Sequence, residues 1–135
     1  MQETASDRTP RTLRGARLSK HSDYQRVYQQ SRKQFSASMT YFFCLRADNT
    51  HDVSGPRIGL TAGRVLGKAV ERNRIKRRMR EVVRRNLGHL QSDVDVVLHP
   101  RKSVLQMDLT RLEGEVGRIF AVIEAALKAK PEKSA

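Results

Sequence analysis

The sequence is poor in aromatics: no tryptophan, three tyrosines and four phenylalanines among 135 residues. It has a single cysteine, so an internal disulfide is excluded and a reducing compartment is the simpler reading. Cys44 lies in an apolar run and reads as a buried structural thiol. No run approaches the roughly 20 apolar residues that a membrane-spanning helix needs. The first residues lack the apolar stretch of a secretory signal, and Glu3 and Asp7 weigh against a transit peptide. A cytoplasmic location is therefore expected. Catalytic constellations are missing too. There are no paired carboxylates, no Ser/His/Asp arrangement, no phosphate-binding glycine loop, and no His, Cys and acid cluster at metal-ligand spacing. His21, His51, His89 and His99 are scattered and read as structural or solvated.

Acids are scarce as well. Fourteen Asp and Glu face 27 Lys and Arg, a formal charge of +13. Such an excess opposes compaction by self-repulsion and serves a polyanionic partner. Nucleic acid is the first candidate and an acidic membrane surface the second. The length and the 38% hydrophobic content suit one domain with a modest core.

Residues 1–17 carry Pro10, Gly15 and a spaced series of arginines without apolar period, and read as a disordered basic arm. The domain is expected over 18–128, with a polar tail over 129–135. Residues 18–31 suit a helix capped by Ser19 or Ser22, the latter with Gln25 in a reciprocal capping pattern. Residues 34–46 read as a strand that could split at 36–38, residues 48–56 as a hairpin-like loop, and residues 57–62 as a second strand. A helix spans 69–87, terminated at Gly88. Residues 94–98 form a further strand closed by Pro100. Asp108 or Thr110 caps a last helix, on which Leu112, Val116, Ile119, Phe120, Ile123 and Leu127 keep a 3.6-residue period. The fold class is thus α/β (α+β): a two-layer sandwich in the order α-β-β-(β)-α-β-α, with helices packed on a small sheet.

The helix over 69–87 is the most informative segment. Ile75, Met79, Val82, Val83 and Leu87 share one arc, and Asn73, Arg74, Arg77, Arg80, Arg84 and Arg85 crowd the opposite one. Like charges at i, i+3 and i+4 weaken a helix by a few tenths of a kcal/mol per pair, so this face calls for an anionic partner. Arginine dominates, and its planar guanidinium can grip a phosphate through two parallel hydrogen bonds. An amphipathic basic helix could instead lie on a membrane, but this one lacks apolar-face Trp or Phe, and neighbouring strands need cover.

The run from Arg57 to Glu81, RIGLTAGRVLGKAVERNRIKRRMRE, resembles the signature of the protein subunit of bacterial ribonuclease P, with Arg72-Asn73-Arg74 at its heart. The flanks agree, since residues 22–28 resemble the family's first helix and residues 95–98 its last strand; the likeness extends over about 18–127. It implies a ribonucleoprotein that removes the 5′ leader of precursor tRNA, in which the RNA subunit with Mg2+ performs the chemistry. It also implies a mixed sheet with a left-handed β-α-β crossover, against the usual rule. By the same resemblance Arg72, Asn73, Arg74, Lys76, Arg77, Arg80 and Arg84 contact the ribonuclease P RNA. Tyr24, Tyr28 and Phe42 line a cleft for the single-stranded leader, where an aromatic face stacks on any base. Arg57, Thr61, Arg64 and Lys68 are placed to hold leader phosphates. The family often has Ser-Lys-Lys at the turn where this chain has Gly63-Arg64-Val65, so one basic side chain is replaced there.

The expected partners are therefore ribonuclease P RNA and precursor tRNA, with no membrane and no obligate protein partner. Magnesium is expected to be held mainly by RNA. Two rivals remain at this level. One is a ribosomal or other structural RNA-binding protein with no role in cleavage; the other is a self-sufficient metal nuclease, for which no ligand cluster is present.

Overall fold

Residues 16–18, 20–46 and 55–134 are described by the computed structural model. The basic arm over 1–15 and most of the expected loop over 48–56 lie outside them, as do Ser19 and His51.

Alternation along the strands decides which side of the sheet each side chain joins. Four strands, β1 (Gln34–Phe35), β2 (Met39–Leu45), β3 (Arg57–Leu60) and β4 (Val94–Pro100), form one sheet in the order β1-β2-β4-β3. The expected split at 36–38 is real: β1 folds back antiparallel on β2, with Gln34 opposite Tyr41. β2 runs antiparallel to β4, and β3 runs parallel to β4 with Gly59 beside Val97. Met39, Tyr41, Ile58, Val94, Val96 and Leu98 point to one face and build the main core. Phe42, Cys44 and Val97 point to the other, with Leu18 and Val27.

Three helices cover the sheet: α1 (His21–Gln30), α2 (Ala69–Asn86) and α3 (Leu109–Ser134). Helices α2 and α3 fill the main-core face, the first through Ile75, Met79, Val82 and Val83, the second through Leu112, Val116, Phe120 and Ile123, all fully buried. Fully burying such side chains stabilises a fold by roughly 1.5–3 kcal/mol each. Because α2 spends its apolar arc on the core, that arc cannot also enter a membrane. Helix α1 covers part of the opposite face.

Four local expectations change. The arm ends sooner than residue 17, because Arg17 bridges to Ile58 and main-chain bonds join Ala16 and Leu18 to the same residue. Ala16 and Leu18 are thereby buried. That pairing keeps 16–18 extended, so α1 begins at His21, with Lys20 at its N-cap and no side-chain cap; Ser22 lies inside the helix. Helix α2 does not end on a left-handed Gly88: the chain tightens into a 3-10 turn over Leu87–His89. Asn86 secures that end, donating to the carbonyls of Val82 and Glu113. Finally, α3 continues beyond Lys128 to Ser134, past the end of its apolar period.

Two acids pin loops to α3. Glu115 accepts from the hydroxyls of Ser36 and Ser38 and the Ser38 N–H, fixing the β1–β2 turn. Glu124 accepts from the N–H of Gln91 and the Ser92 hydroxyl, fixing the approach to β4. Burial pushes both carboxyl groups up, but these donors hold them below the usual carboxylate range.

Candidate nucleic-acid interface

Two surfaces emerge, one on the outer arc of α2 and one on the sheet face that α1 only partly covers. Gly67 leads into α2 with a φ of 121°, a conformation that favours glycine. The carboxylate of Glu71 then accepts from the Lys68 N–H at 3.1 Å, closing the first turn. The core contacts fix the helix's rotation, and the residues opposite them become the surface.

Asn73, Arg74 and Arg77 are exposed, with Arg72, Lys76 and Arg80 half-buried along one flank. Arg72 Nε is buried without a hydrogen-bond partner among the described residues. Arg84 is exposed but bonded to Glu81 at 2.6 Å, and Arg85 bridges Glu81 and Glu113. The hydrogen bonds of Arg84 and Arg85 hold the Glu81 carboxyl below its ordinary range. Glu81 therefore offsets charge at the C-terminal end of the arc and leaves the Asn73–Arg77 end more positive. Arg78 belongs to neither group, for it turns inward and donates to the carbonyls of Val104 and Met107.

On the other sheet face, α1 divides the area in two. Asp23 and Arg26 face one end, where Asp95 of β4, fully buried, gathers three guanidinium groups. Arg57 meets it at 2.9 and 2.8 Å, Arg46 at 2.9 Å, and Arg26 closes the set; Asp23 lies 3.4 Å from Arg57. Burial pushes the Asp95 carboxyl up, but the donors from Arg57, Arg46 and Arg26 outweigh it and hold the group below the usual range. Arg57 thus serves as a structural ion, its guanidinium turned onto Asp95 and Asp23. Its place on β3, directly beside Asp95 in the parallel register, turns it inward. Cys44 sits in the same region, 3.4 Å from Arg26, its thiol pushed up by burial.

At the other end lies an aromatic cluster, where the family resemblance expects the leader groove. Tyr24 and Tyr28, one helical turn apart, have ring centroids 6.5 Å apart, and Tyr28 meets Phe42 edge-on at 4.9 Å. Tyr24 packs over Gly59, where an added Cβ would fall 2.5 Å from the phenolic oxygen, and its hydroxyl donates to the Leu18 carbonyl. Tyr24 is therefore the anchored wall and Tyr28, 37% exposed, the accessible ring. His99 completes the cluster, its ring 5.7 Å from Tyr28 and 5.4 Å from Phe42, with Nε2 at 2.9 Å from the Tyr28 hydroxyl. Sequence reasoning set His99 aside as scattered. Its position two residues beyond Val97, and so on the same face, was the signal that could have found it.

Thr61, just past β3, donates its N–H to the Leu98 carbonyl and is half-buried. Arg64 and Lys68 are exposed on the following turn, beside Val65, which is 91% exposed. Among the described residues no group of His, Cys, Asp and Glu could hold a metal ion, and no helix is long and apolar enough to cross a membrane. The buried acids among the described residues are engaged by arginine, hydroxyl or main-chain donors.

Known proteins resemble this chain in sequence and in fold. The family model described as Ribonuclease P matches residues 13–124. The ribonuclease P protein component of Chloroflexus aggregans is 35% identical over 120 residues, 88% of this chain and 84% of that protein. That of Finegoldia magna is 33% identical over 100 residues, covering 74% and 83%. Among solved structures, the RNase P protein of Thermotoga maritima superposes with a TM-score of 0.67 at 25% identity, covering 80% of this chain and 97% of that one. The RNase P protein of Staphylococcus aureus gives 0.66 at 22% identity, covering 81% and 95%. With the family model and the relatives in agreement, this chain belongs to the ribonuclease P protein family.

Proposed function

We propose that the chain works as the protein subunit of ribonuclease P, binding the catalytic RNA through α2 and the 5′ leader of precursor tRNA through the aromatic groove. Membership of the family makes it a component of a ribonuclease complex and a partner of ribonuclease P RNA. The observation that carries the finer reading is the coexistence of two unlike surfaces on one small domain. The α2 arc presents a row of guanidinium groups suited to a folded RNA's phosphates. The groove presents Tyr28 and Phe42 to unpaired bases, and stacking of this kind accepts any base at roughly 1–3 kcal/mol each.

Chemistry then falls to the RNA. Hydrolysing a phosphodiester calls for oxygen ligands that gather divalent ions, and RNA phosphates can provide them. The protein's part is to bind, to orient the leader and to lower phosphate repulsion between enzyme RNA and substrate. This reading carries a cytoplasmic location with it.

Purified protein with magnesium should leave precursor tRNA intact. Adding a bacterial ribonuclease P RNA should give one cut at the leader junction, at lower magnesium than the RNA alone requires. Site-specific cleavage by rigorously RNA-free protein would overturn the division of labour. Failure to stimulate any such RNA would favour a structural RNA-binding role without cleavage.

A further inference from the structure

Neither the motif nor the arginine arc accounts for His99, a titratable ring built into the wall of the groove. Its Nε2 lies 2.9 Å from the hydroxyl of Tyr28, and its ring contacts both Tyr28 and Phe42. Tyr28 is the most exposed ring of the groove, so its partner helps set how a base meets it. We infer that His99 is a proton-dependent contact of the single-strand groove: neutral, it holds Tyr28 and offers one N–H to the strand; protonated, it adds a positive charge against the strand's phosphates. This rests on the leader-binding reading above.

The hydrogen bond has two forms. A phenol is the stronger donor and an imidazole nitrogen the stronger acceptor, so with the ring neutral the Tyr28 hydroxyl donates to Nε2. The ring proton then sits on Nδ1, the nitrogen left for the strand. When the ring takes up a second proton, Nε2–H donates instead and the phenolic oxygen accepts, its own proton rotating away. The contact therefore survives protonation and Tyr28 keeps its position. What changes is one unit of charge beside the groove.

The charged surroundings set the direction of the effect. From α1 the titratable group is Tyr28; from the segment joining α1 to β1 it is Lys33; β2 contributes Phe42 and, directly opposite His99, Thr40, neither of which carries charge. On β4 itself Asp95 lies four residues away and is engaged by its arginines, while Arg101 donates to the carbonyls of Ser36 and Ala37. No carboxylate therefore stands against the ring among these groups. Burial first, and the charge of Lys33 second, hold the imidazole below its ordinary pKa. A phosphate brought alongside opposes both influences, so strand binding should raise that pKa and take up a proton, and acid should tighten binding in return.

The test uses the holoenzyme reconstituted from this protein and a bacterial ribonuclease P RNA. Affinities for precursor tRNA and mature tRNA are measured from about pH 7.5 to about pH 5. Their ratio isolates the leader, since pH effects on the RNA–RNA contacts appear in both. With the native chain the preference for precursor should grow roughly three- to tenfold on acidification, as one charge-assisted contact would provide. In His99→Gln the amide can still accept from Tyr28 but does not titrate, and the preference should be flat with pH. In parallel, NMR titration of the His99 ring in the free protein, with and without a short single-stranded RNA, should show its pKa rising on binding. A preference for precursor that is equally flat in the native chain and in His99→Gln, with an unmoved ring pKa, would overturn this inference and leave the groove reading standing. Equal affinity for precursor and mature tRNA at every pH would overturn the groove reading itself. The ring titration needs no variant, so misfolding of His99→Gln would not shelter the proposal.

Discussion

Replacing Asp95 by Asn tests whether the buried ion cluster, rather than the groove, is where Arg57 matters. The carboxylate is fully buried, and its two oxygens receive bonds from Arg26, Arg46 and Arg57. At an effective dielectric of about 20, each pair at about 4 Å is worth roughly 4 kcal/mol before desolvation is charged against it. The net cost of breaking such a buried set by removing one partner is about 3–5 kcal/mol. A domain of this kind has roughly 5–15 kcal/mol in total, so Asp95→Asn should lose a large part of it. In urea, where small domains lose about 1–3 kcal/mol per molar, the midpoint should fall by roughly 2 M with little change in slope. The acid limb of stability should shift as well. Asp95 is held below its unfolded pKa, so its contribution is present above that value and is lost as the pH falls through the folded one. Glu115 and Glu124 carry shifts of the same sign, and the native chain should therefore lose stability steeply below about pH 4. In Asp95→Asn that limb should be shallower. A variant that unfolds within 1 kcal/mol of the native chain, an estimate well below the expected cost, would refute the reasoning. So would an Arg57 substitution that spares stability but lowers the precursor-to-mature affinity ratio, since that is the signature of a leader contact.

Other outcomes follow from the two surfaces. Changing Arg74, Arg77 and Arg80 together to Ala should weaken binding to ribonuclease P RNA and shallow its salt dependence by roughly one log–log unit per lost phosphate contact; an unchanged slope with the fold intact by circular dichroism would sink the assignment. Phe42→Ala or Tyr28→Ala should cost precursor tRNA about 1–3 kcal/mol of affinity and leave mature tRNA nearly unaffected. Gly59→Ala has no left-handed backbone to disturb, yet its Cβ would stand 2.5 Å from the Tyr24 hydroxyl. Tyr24 must move, so leader preference should fall with a modest loss of stability, and a leader preference equal to that of the native chain would show that this wall is unimportant.

The sequence by itself determined what repeats or clusters along the chain. Ile75, Met79, Val82 and Val83 recur at helical spacing, so the inner face of α2 and its basic outer arc were legible before any coordinates. The strands over β2, β3 and β4 were legible from their β-forming side chains, and the Arg72-Asn73-Arg74 context pointed to the family. Tertiary structure decided what depends on residues far apart in the chain. Arg57 looks like any exposed basic residue until β3 settles beside β4 and turns it onto Asp95, 38 positions away. His99 looks incidental until β4 carries it to the aromatic groove, 71 positions from Tyr28. Ser22 looks like a cap until residues 16–18 are claimed by pairing with Ile58. Helical periodicity is a local property, fixed by neighbours three and four residues away. Charge pairing, ring contacts and edge pairing are set by the sheet register, which exists only once the strands have found one another.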